Sequence, residues 1–370
     1  MIRRSAVRRA AASACIPAAL LFGNLACDSS PTEPTDIEIL PMQGLQGFEA
    51  RLDSIRVVLR IPGMAAAIAR DGQIVWSKGF GYADAREERP ATPSTPFHLA
   101  SLTKPFAAVI VMQLVEQGLV SLDDPVSQYG VDLEADGVIR VRHLLTHTSE
   151  GVPGSFYRYA GDRFGQLDRV IQGAANRSFG ELLVERILQP IQLRETAPNP
   201  KHPDFNLTGL DRDRFMAEMA AGYDLRDGRV VPVGHPSYFG TAAGLVASAE
   251  DMASFSIAID QGRFLQPETW DSVFTPAVSN SGTTLPYGLG WFIYEHEGAV
   301  LQWHYGQWDS NSSLIVRAPQ QGLTFVVLAN TNMLSRAYGL GVDANVMRSD
   351  VASLCVESFV LGDEPLPAGR

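Results

Sequence analysis

The run of residues from Phe97 to Phe106 combines a hydroxyl and an amine at a spacing that can do chemistry. It reads Phe-His-Leu-Ala-Ser-Leu-Thr-Lys-Pro-Phe, with Ser101 three residues before Lys104. Residues at i and i+3 share one face of a helix, so the two groups can approach each other. Pro105 is tolerated only in the first turn of a helix, which puts Ser101 at a helix N-terminus.

This arrangement predicts a nucleophilic serine. At a helix N-terminus the dipole favours developing negative charge, and free N–H groups can bind an oxyanion. Desolvation lowers the proton affinity of a buried lysine, so that its neutral amine can act as a base. The alternative is that Ser101 caps the helix and Lys104 lies at the surface. The chain has only three lysines, so chance matches are few, but a motif this short still needs support.

Support comes from a resemblance that extends over about residues 45–335. Ser101-Leu-Thr-Lys104 resembles the S-x-x-K motif of serine β-lactamases and penicillin-binding proteins. The surrounding chain resembles the class C β-lactamase and family VIII esterase group. The matching segments are Leu122-Asp-Asp-Pro-Val126, His143-Leu-Leu-Thr-His-Thr-Ser149, Tyr159-Ala-Gly-Asp-Arg-Phe-Gly-Gln-Leu167, Gly244-Leu-Val-Ala-Ser248, Tyr287-Gly-Leu-Gly-Trp291 and His304-Tyr-Gly306.

The resemblance implies roles for two further side chains. Tyr159 would be the second member of the base system, exchanging a proton with Ser101 and Lys104. The alternative is that Tyr159 is a core tyrosine and that Tyr157, two residues away, has the catalytic role. His304 would lie on a strand beside the pocket and bind or orient the carbonyl side of the substrate, unless it is a structural histidine.

Other matched positions bear on the oxyanion hole and on substrate choice. The resemblance implies that the backbone N–H groups of Ser101 and Gln307 form the oxyanion hole, and that Gly306 keeps the strand edge open. Gly161 stands where the family usually has an asparagine that contacts the amide of β-lactams and peptides. His304 stands where true β-lactamases commonly have a lysine that would hold a substrate carboxylate. Both departures favour uncharged esters.

A rival interpretation uses His143 and His147, since an i, i+4 histidine pair on a helix can bind zinc. The H-E-x-x-H pattern is absent and no third ligand is evident in the sequence, so packing or capping is favoured. We therefore expect no metal and no cofactor. Tyr238, Trp303 and Trp308 are candidates for the pocket wall, with core packing as the alternative.

The elements that position these residues begin with a helix and a hairpin. Phe48, Leu52, Ile55 and Leu59 lie four, three and four residues apart, along one face of a helix. Asp71-Gly72 separates two apolar runs, which indicates an antiparallel hairpin. The middle of the chain is mostly helical in pattern. The last third returns to strands at about Tyr287–Tyr294, Ala299–Trp303, Ser312–Val316 and Leu323–Leu328, followed by a helix from about Asp343 to Phe359.

This order of elements predicts an α+β fold, which the resemblance makes β-lactamase/transpeptidase-like. We expect an antiparallel sheet flanked by N- and C-terminal helices, with an inserted all-helical subdomain. The hydrolase domain would cover residues 45–360. Its α/β part would be about 45–105 and 240–360, its helical insertion about 106–239, and the tail 361–370.

Residues 1–26 have the plan of a signal peptide. Four arginines precede an apolar stretch that is too short and too broken to span a bilayer. Cys27 lies where a bacterial lipoprotein would be cut and acylated, although Asn24 departs from the usual lipobox; an ordinary signal peptide is the alternative. Residues 27–44 would form a flexible tether. We expect an exported protein of the bacterial cell envelope, anchored to a membrane through Cys27.

Charge limits the classes of partner. The formal net charge is -11, which excludes the basic footprint of a nucleic-acid binder. The expected function is an exported serine hydrolase acting on small carboxylic esters through an acyl-enzyme on Ser101. A β-lactamase or D-alanyl-D-alanine carboxypeptidase is the first alternative, with an ester or amide as small-molecule substrate. A non-catalytic cell-envelope binding module is the second, and protein partners are not indicated.

Overall fold

The computed structural model describes residues 44–362 and 364–367. The predicted signal peptide, Cys27 and all but the last residue of the predicted tether lie outside the described residues. Within them, no helix is both long and apolar enough to cross a membrane.

The chain opens with the predicted helix and hairpin. Helix α1 spans Gly44–Val58. Strand β1 (Gly63–Arg70) then pairs antiparallel with β2 (Gln73–Asp84). Asp71 and Gly72 between them both have positive φ, 51° and 77°. Two central residues with positive φ are what a tight hairpin turn of type I′ needs, which is why the Asp-Gly pair marked this turn correctly.

The remaining elements alternate between short strands and helices. The strands are β3 (Arg89–Pro90), β4 (Phe97–Ala100), β5 (Ala197–Pro198), β6 (Tyr223–Arg226), β7 (Arg229–Pro232), β8 (Leu245–Ala247), β9 (Phe292–His296), β10 (Ala299–Trp308), β11 (Asn311–Ala318) and β12 (Leu323–Ala329). The helices are α2 (Lys104–Glu116), α3 (Val141–Leu145), α4 (Gly161–Phe164), α5 (Leu167–Ala175), α6 (Phe179–Leu183), α7 (Arg212–Glu218), α8 (Ala249–Asp260), α9 (Pro267–Phe274), α10 (Met333–Arg336), α11 (Leu340–Asp343) and α12 (Asp350–Cys355).

Seven antiparallel strands form the main sheet, in the order β3-β2-β1-β12-β11-β10-β9. Alternate side chains of a strand point to opposite faces. In β1, Met64 and Ile68 pack into a core with the terminal helices α1 and α12. Ala65 and Ala69 pack into the other core, with α2 and α8. The predicted α+β class and the sheet flanked by terminal helices are therefore confirmed.

The segment inserted between the two parts of the sheet is mainly helical. Helices α2 to α7 lie in it, and α2 is buried nearly all round, as its unbroken apolar run predicts. The segment also carries strand β5, which joins β4 and β8 in a small three-stranded sheet, and the hairpin β6–β7. The small sheet matters for function because β4 runs directly into Ser101.

Two predicted elements have different bounds in the structure. The strand expected at Tyr287–Tyr294 begins only at Phe292. Gly290, at a φ of 84°, forms part of a turn before it, and a Cβ there would lie 2.5 Å from that of Ala108. The chain at this point therefore turns against helix α2 instead of extending the sheet.

The final helix is also shorter than predicted. It begins at Asp350 and continues through a π-helical turn to Val360. Ala344 has a φ of 53°, which interrupts the helical path expected from Asp343 onward. Ser349 then caps the true start by accepting a hydrogen bond from the N–H of Ala352.

Candidate active site

Ser101 stands at the junction of a strand and a helix. Strand β4 ends at Ala100, a single 3-10 turn covers Ser101–Thr103, and helix α2 follows. Pro105 lies within the first turn of α2, where its missing N–H leaves no intrahelical bond unmade. The prediction that Ser101 lies at a helix N-terminus is thus confirmed.

Lys104 is fully buried and contacts Ser101 directly. Its Nζ lies 2.9 Å from Ser101 Oγ and donates to the carbonyl oxygen of Ala242 at 2.8 Å. Within the described residues, no carboxylate forms an ion pair with it. Burial lowers the pKa of Lys104 from 10.5 to about 7, because the charged form loses its hydration without gaining a counter-ion. A large fraction of Lys104 is therefore neutral near physiological pH.

Tyr159 lies beside the lysine. Its ring centroid is 5.0 Å from Lys104 Nζ. The ring is partly exposed, but the hydroxyl is buried and has no hydrogen-bond partner of acceptable geometry in the described part of the chain. Burial raises the pKa of Tyr159 well above its usual value, Tyr305 adds to the rise, and the nearby Ser101 hydroxyl partly offsets it. Tyr159 therefore keeps its proton at neutral pH.

The ring of Tyr157, the alternative to Tyr159, packs against aromatic side chains and not against Lys104. Its ring packs against those of His147, Tyr287 and Phe292. Its hydroxyl is also buried without a partner among the described residues. Of the two tyrosines, only Tyr159 packs against Lys104, so the geometry favours Tyr159 over Tyr157 as the second member of the base system.

His304 lies on β10 as expected, yet its side chain does not reach the cavity. The residue is 0% exposed. Its Nδ1 lies 2.7 Å from the carbonyl oxygen of Tyr305, and its Nε2 lies 2.8 Å from Tyr287 Oη. Because Nδ1 must donate to the carbonyl, Nε2 accepts from the tyrosine. Burial holds the pKa of His304 well below its usual value. Both ring nitrogens of His304 are thus engaged inside the fold, and its contact with a substrate stays a prediction.

Gly306 lies where β10 packs closely against the segment that ends in Ser101. A Cβ at this position would lie 1.9 Å from the carbonyl oxygen of Leu99. Only glycine allows β10 to lie this close to the segment that ends in Ser101. Gln307 follows and lines the same cavity as Ser101, so an oxyanion hole built from their two N–H groups would lie in this cavity.

A cavity of about 750 Å³ opens above Ser101 and Lys104. Gly161 lies in its wall, where an added Cβ would be 3.8 Å from Lys104 Nζ, an ordinary contact. Of the aromatic candidates, Tyr238 and Trp308 line the cavity, whereas Trp303 is buried in the core. The lining residues are Ser101, Lys104, Gly161, Asp162, Gly165, Gln166, Asp168, Arg169, Tyr238, Ala242, Ala243, Gln307, Trp308 and Asp309.

Sequence reasoning missed two features of this cavity. The Ala242 carbonyl is a backbone group, so the type of residue carries no signal for it. Asp168 accepts a hydrogen bond from the N–H of Thr241 at 2.9 Å, and burial raises the pKa of Asp168 to about 6. No motif marks Asp168, because its neighbours in the cavity come from distant parts of the chain.

The histidine pair considered for zinc is engaged with backbone groups. His143 Nδ1 accepts from the N–H of Arg140 at 3.1 Å, and His147 Nδ1 accepts from the N–H of Ala160 at 3.2 Å. These are capping and packing contacts. In the described ranges, no group of three or more histidine, cysteine or acidic side chains is close enough to hold a metal ion.

Known proteins share this architecture. The Beta-lactamase family model matches residues 48–344. Penicillin-binding protein 4* of Bacillus subtilis (strain 168) is 26% identical over 305 residues, which cover 71% of this chain and 66% of that protein. Protein flp of Staphylococcus aureus (strain MW2) is 26% identical over 318 residues, 74% of this chain and 60% of that protein. The chain thus spans less than two thirds of the length of these relatives.

A solved structure gives the same picture of the fold. The octameric penicillin-binding protein homologue from Pyrococcus abyssi superposes with a TM-score of 0.73 at 23% identity, covering 86% of this chain and 78% of that one. A likeness at this identity shows the fold alone. The family model, however, extends over most of the chain, from the first helix to the segment after the last strand. This chain belongs to the β-lactamase family of serine hydrolases.

Proposed function

We propose that this hydrolase cleaves small, uncharged carboxylic esters through an acyl-enzyme on Ser101. One observation carries the proposal: the amine of Lys104, with a pKa of about 7, lies 2.9 Å from Ser101 Oγ at the floor of an open cavity. A base whose pKa lies near the working pH is both available in its neutral form and strong enough to take a proton.

The acylation step follows from these contacts. The neutral amine of Lys104 accepts the proton of Ser101 Oγ as the oxygen attacks the ester carbonyl. The Ala242 carbonyl, at 2.8 Å, then accepts a hydrogen bond from the ammonium that forms. The N–H groups of Ser101 and Gln307 bind the developing oxyanion. Tyr159, which carries its proton, donates it to the leaving alkoxide and is reprotonated from Lys104.

Deacylation reverses the proton path. Water attacks the acyl ester of Ser101, and its proton passes to the Lys104/Tyr159 pair. The bond between Ser101 Oγ and the acyl carbon breaks, and the serine oxygen regains a proton from the same pair. The carboxylic acid leaves, and the enzyme returns to its starting state without a metal or cofactor taking part in any step.

The charge of the cavity supports an uncharged substrate. Asp162, Asp168 and Asp309 line it, and at pH 7 the carboxyl of Asp168 is mostly ionised, since its pKa is about 6. These groups disfavour a substrate carboxylate. Gly161 offers no side-chain amide for a β-lactam or peptide, and His304 is sealed inside the fold. An ester needs neither contact.

A second candidate is the β-lactamase or D-alanyl-D-alanine carboxypeptidase function, and one residue favours it. Arg169 lines the same cavity and donates to the carbonyl oxygen of Gly130 at 2.9 Å. A guanidinium matches a carboxylate well. If this function is correct, Arg169→Gln should lower kcat/KM for nitrocefin by at least about tenfold, the loss of one charged hydrogen bond, and leave ester turnover nearly unchanged.

The test of the proposal is a substrate panel on the purified protein. We expect kcat/KM for p-nitrophenyl butyrate to exceed that for nitrocefin, and Ser101→Ala to abolish both. The variant should still fold, because the loss of a capping hydroxyl costs about 0.5–2 kcal/mol; circular dichroism checks this. Nitrocefin turnover above ester turnover would establish the second candidate. Fluorophosphonate labelling of Ser101 without any turnover would instead indicate the non-catalytic binding module.

We also propose export and acylation at Cys27, on the basis of the signal-peptide plan of residues 1–26. Stable anchoring needs more than one acyl chain, since a single chain binds membranes weakly. The full-length protein should sediment with membranes, and Cys27→Ser should release it or block its processing. A soluble wild-type protein whose mature N-terminus is not residue 27 would contradict the proposal.

A further inference from the structure

Ala100, the residue before the nucleophile, has an unusual backbone. Its φ is 49° and its ψ is -128°. L-residues rarely adopt this region, and such a conformation persists only where the surrounding structure determines it. The conformation turns the chain sharply from β4 into the helix, and so it decides where Ser101 points.

The side chains of His98 and Thr103 form hydrogen bonds with the two polar backbone groups of Ala100. The N–H of Ala100 donates to Nδ1 of His98 at 3.1 Å. The carbonyl oxygen of Ala100 accepts from Oγ1 of Thr103 at 2.7 Å, and the same Oγ1 accepts from the N–H of Leu245 at 3.0 Å. Two side chains within three residues of Ala100 therefore hold its peptide groups in place.

His98 is itself held firmly. It is 1% exposed, its ring stacks on that of His235 at 5.7 Å, and the ring of Trp308 meets it edge-on at 5.9 Å. Its carbonyl oxygen accepts from Nδ2 of Asn311 at 2.7 Å. Because Nδ1 accepts an N–H, the neutral ring carries its proton on Nε2. Burial, with the nearby His235 and Lys201, keeps the pKa of His98 well below its usual value, so Nδ1 stays an acceptor.

We infer that His98 is a positioning residue: by accepting the N–H of Ala100 it holds that residue at positive φ and so aims Ser101 at Lys104. The inference rests on the proposed acyl-enzyme function. His98 does not line the cavity, and its route to Ser101 is the hydrogen bond to the backbone of Ala100. Its hydrogen bond to Ala100 and its packing against Trp308 are separate contributions, and variants can separate them.

The first pair of variants replaces the acceptor. His98→Leu keeps much of the volume and removes Nδ1, whereas His98→Asn places an amide oxygen close to the position of Nδ1. A misplaced nucleophile can cost about a hundredfold. We expect His98→Leu to lower kcat for p-nitrophenyl butyrate by about 10- to 100-fold with KM changed by less than about threefold. His98→Asn should keep most of the activity.

The decisive variant acts on Ala100. Glycine adopts positive φ without strain, so the second change Ala100→Gly should restore most of the activity of His98→Leu. A role of His98 in packing alone would not be rescued in this way. Thr103→Val and Thr103→Ser form a second pair on the other side of Ala100: we expect the valine variant to be impaired, the serine variant to be active, and Ala100→Gly to rescue the former.

Each variant is checked for folding by circular dichroism and for nucleophile reactivity by the rate of fluorophosphonate labelling. That rate does not depend on the natural substrate. Equal activity of wild type and folded His98→Leu, or failure of Ala100→Gly to rescue it, would overturn the inference. If His98→Leu does not fold, folded His98→Asn decides: loss of most of its activity would overturn the inference. Failure of the proposed function looks different, since it would appear in the wild-type protein itself, as ester turnover that is absent or lower than nitrocefin turnover.

Discussion

The lysine and the tyrosine beside Ser101 are buried in the same place and respond in opposite ways. Burial lowers the pKa of Lys104 to about 7 and raises that of Tyr159 well above its usual value. In both cases the low-polarity surroundings disfavour the charged form. For the lysine, the uncharged form is a base; for the tyrosine, it is an acid. Burial of the two groups side by side thus supplies both a proton acceptor and a proton donor.

The two side chains also differ in how they are held. Lys104 Nζ is fixed by Ser101 and by the Ala242 carbonyl. The Tyr159 hydroxyl has no partner among the described residues and is placed by ring packing against His147 and Phe292. The base is therefore oriented by hydrogen bonds, and the acid by apolar and aromatic contacts.

The largest effect on ester turnover is expected from removing the functional group of either Lys104 or Tyr159. Lys104→Ala and Tyr159→Phe should each lower ester kcat/KM by about 10²- to 10⁴-fold, the usual range for one acid or base. The double variant should be little worse than either single one, because members of one catalytic unit are not additive. The matched control is Tyr157→Phe, which removes another buried hydroxyl and should stay close to wild type. If Tyr159→Phe kept near-normal activity and Tyr157→Phe were inactive, the catalytic role would belong to Tyr157.

A smaller effect is expected from pH. Lys104 is a base only when neutral, and its pKa is about 7. Ester kcat/KM should therefore fall about tenfold per pH unit below 7 and level off above it. Since burial keeps the proton on Tyr159, no decline should appear on the alkaline side below about pH 9. A bell-shaped profile centred near pH 7 would show that the tyrosine titrates and that burial does not act on the two groups as argued.

The smallest effect concerns substrate choice. Gly161→Asn would place an amide near Lys104, where the structure has room for a Cβ. One neutral hydrogen bond is worth about 0.5–1.5 kcal/mol, so nitrocefin turnover relative to ester turnover should rise by about two- to tenfold. Gly161→Ala adds the Cβ without the amide and should leave the ratio as it is. An unchanged ratio in Gly161→Asn would mean that the cavity charges, not the missing amide, set the preference.

Sequence reasoning succeeded where the chemistry is local. Ser101 begins the 3-10 turn and Lys104, three residues on, begins α2, so their contact follows from the geometry of a single helical turn. Asp71 and Gly72 specify their turn by themselves. Lys104 and its partner Ala242 are 138 residues apart in the sequence, and no local sequence pattern around either residue predicts their contact.

Sequence reasoning failed where contacts with residues distant in the sequence determine the structure. The position of His304 on a strand was predicted, but its burial follows from Tyr287 and from the elements that cover β10, which the local pattern does not specify. Likewise, the interruption before the last helix depends on Ala344, a residue type that ordinarily favours helix. Its positive φ is set by tertiary packing, which local propensity does not include.

The place of β1 in the sheet has a consequence for how the chain folds. Its two neighbours are β2, which follows at once, and β12, which is the last strand in the described part of the chain. The N–H of Gly63 donates to Oδ1 of Asn330 across 267 residues. Contacts this distant in sequence require a large loss of chain entropy before they stabilise the fold, and they slow folding. The sheet therefore closes only after β12 (Leu323–Ala329) has been synthesised, and a chain cut before residue 323 leaves one edge of β1 without its partner.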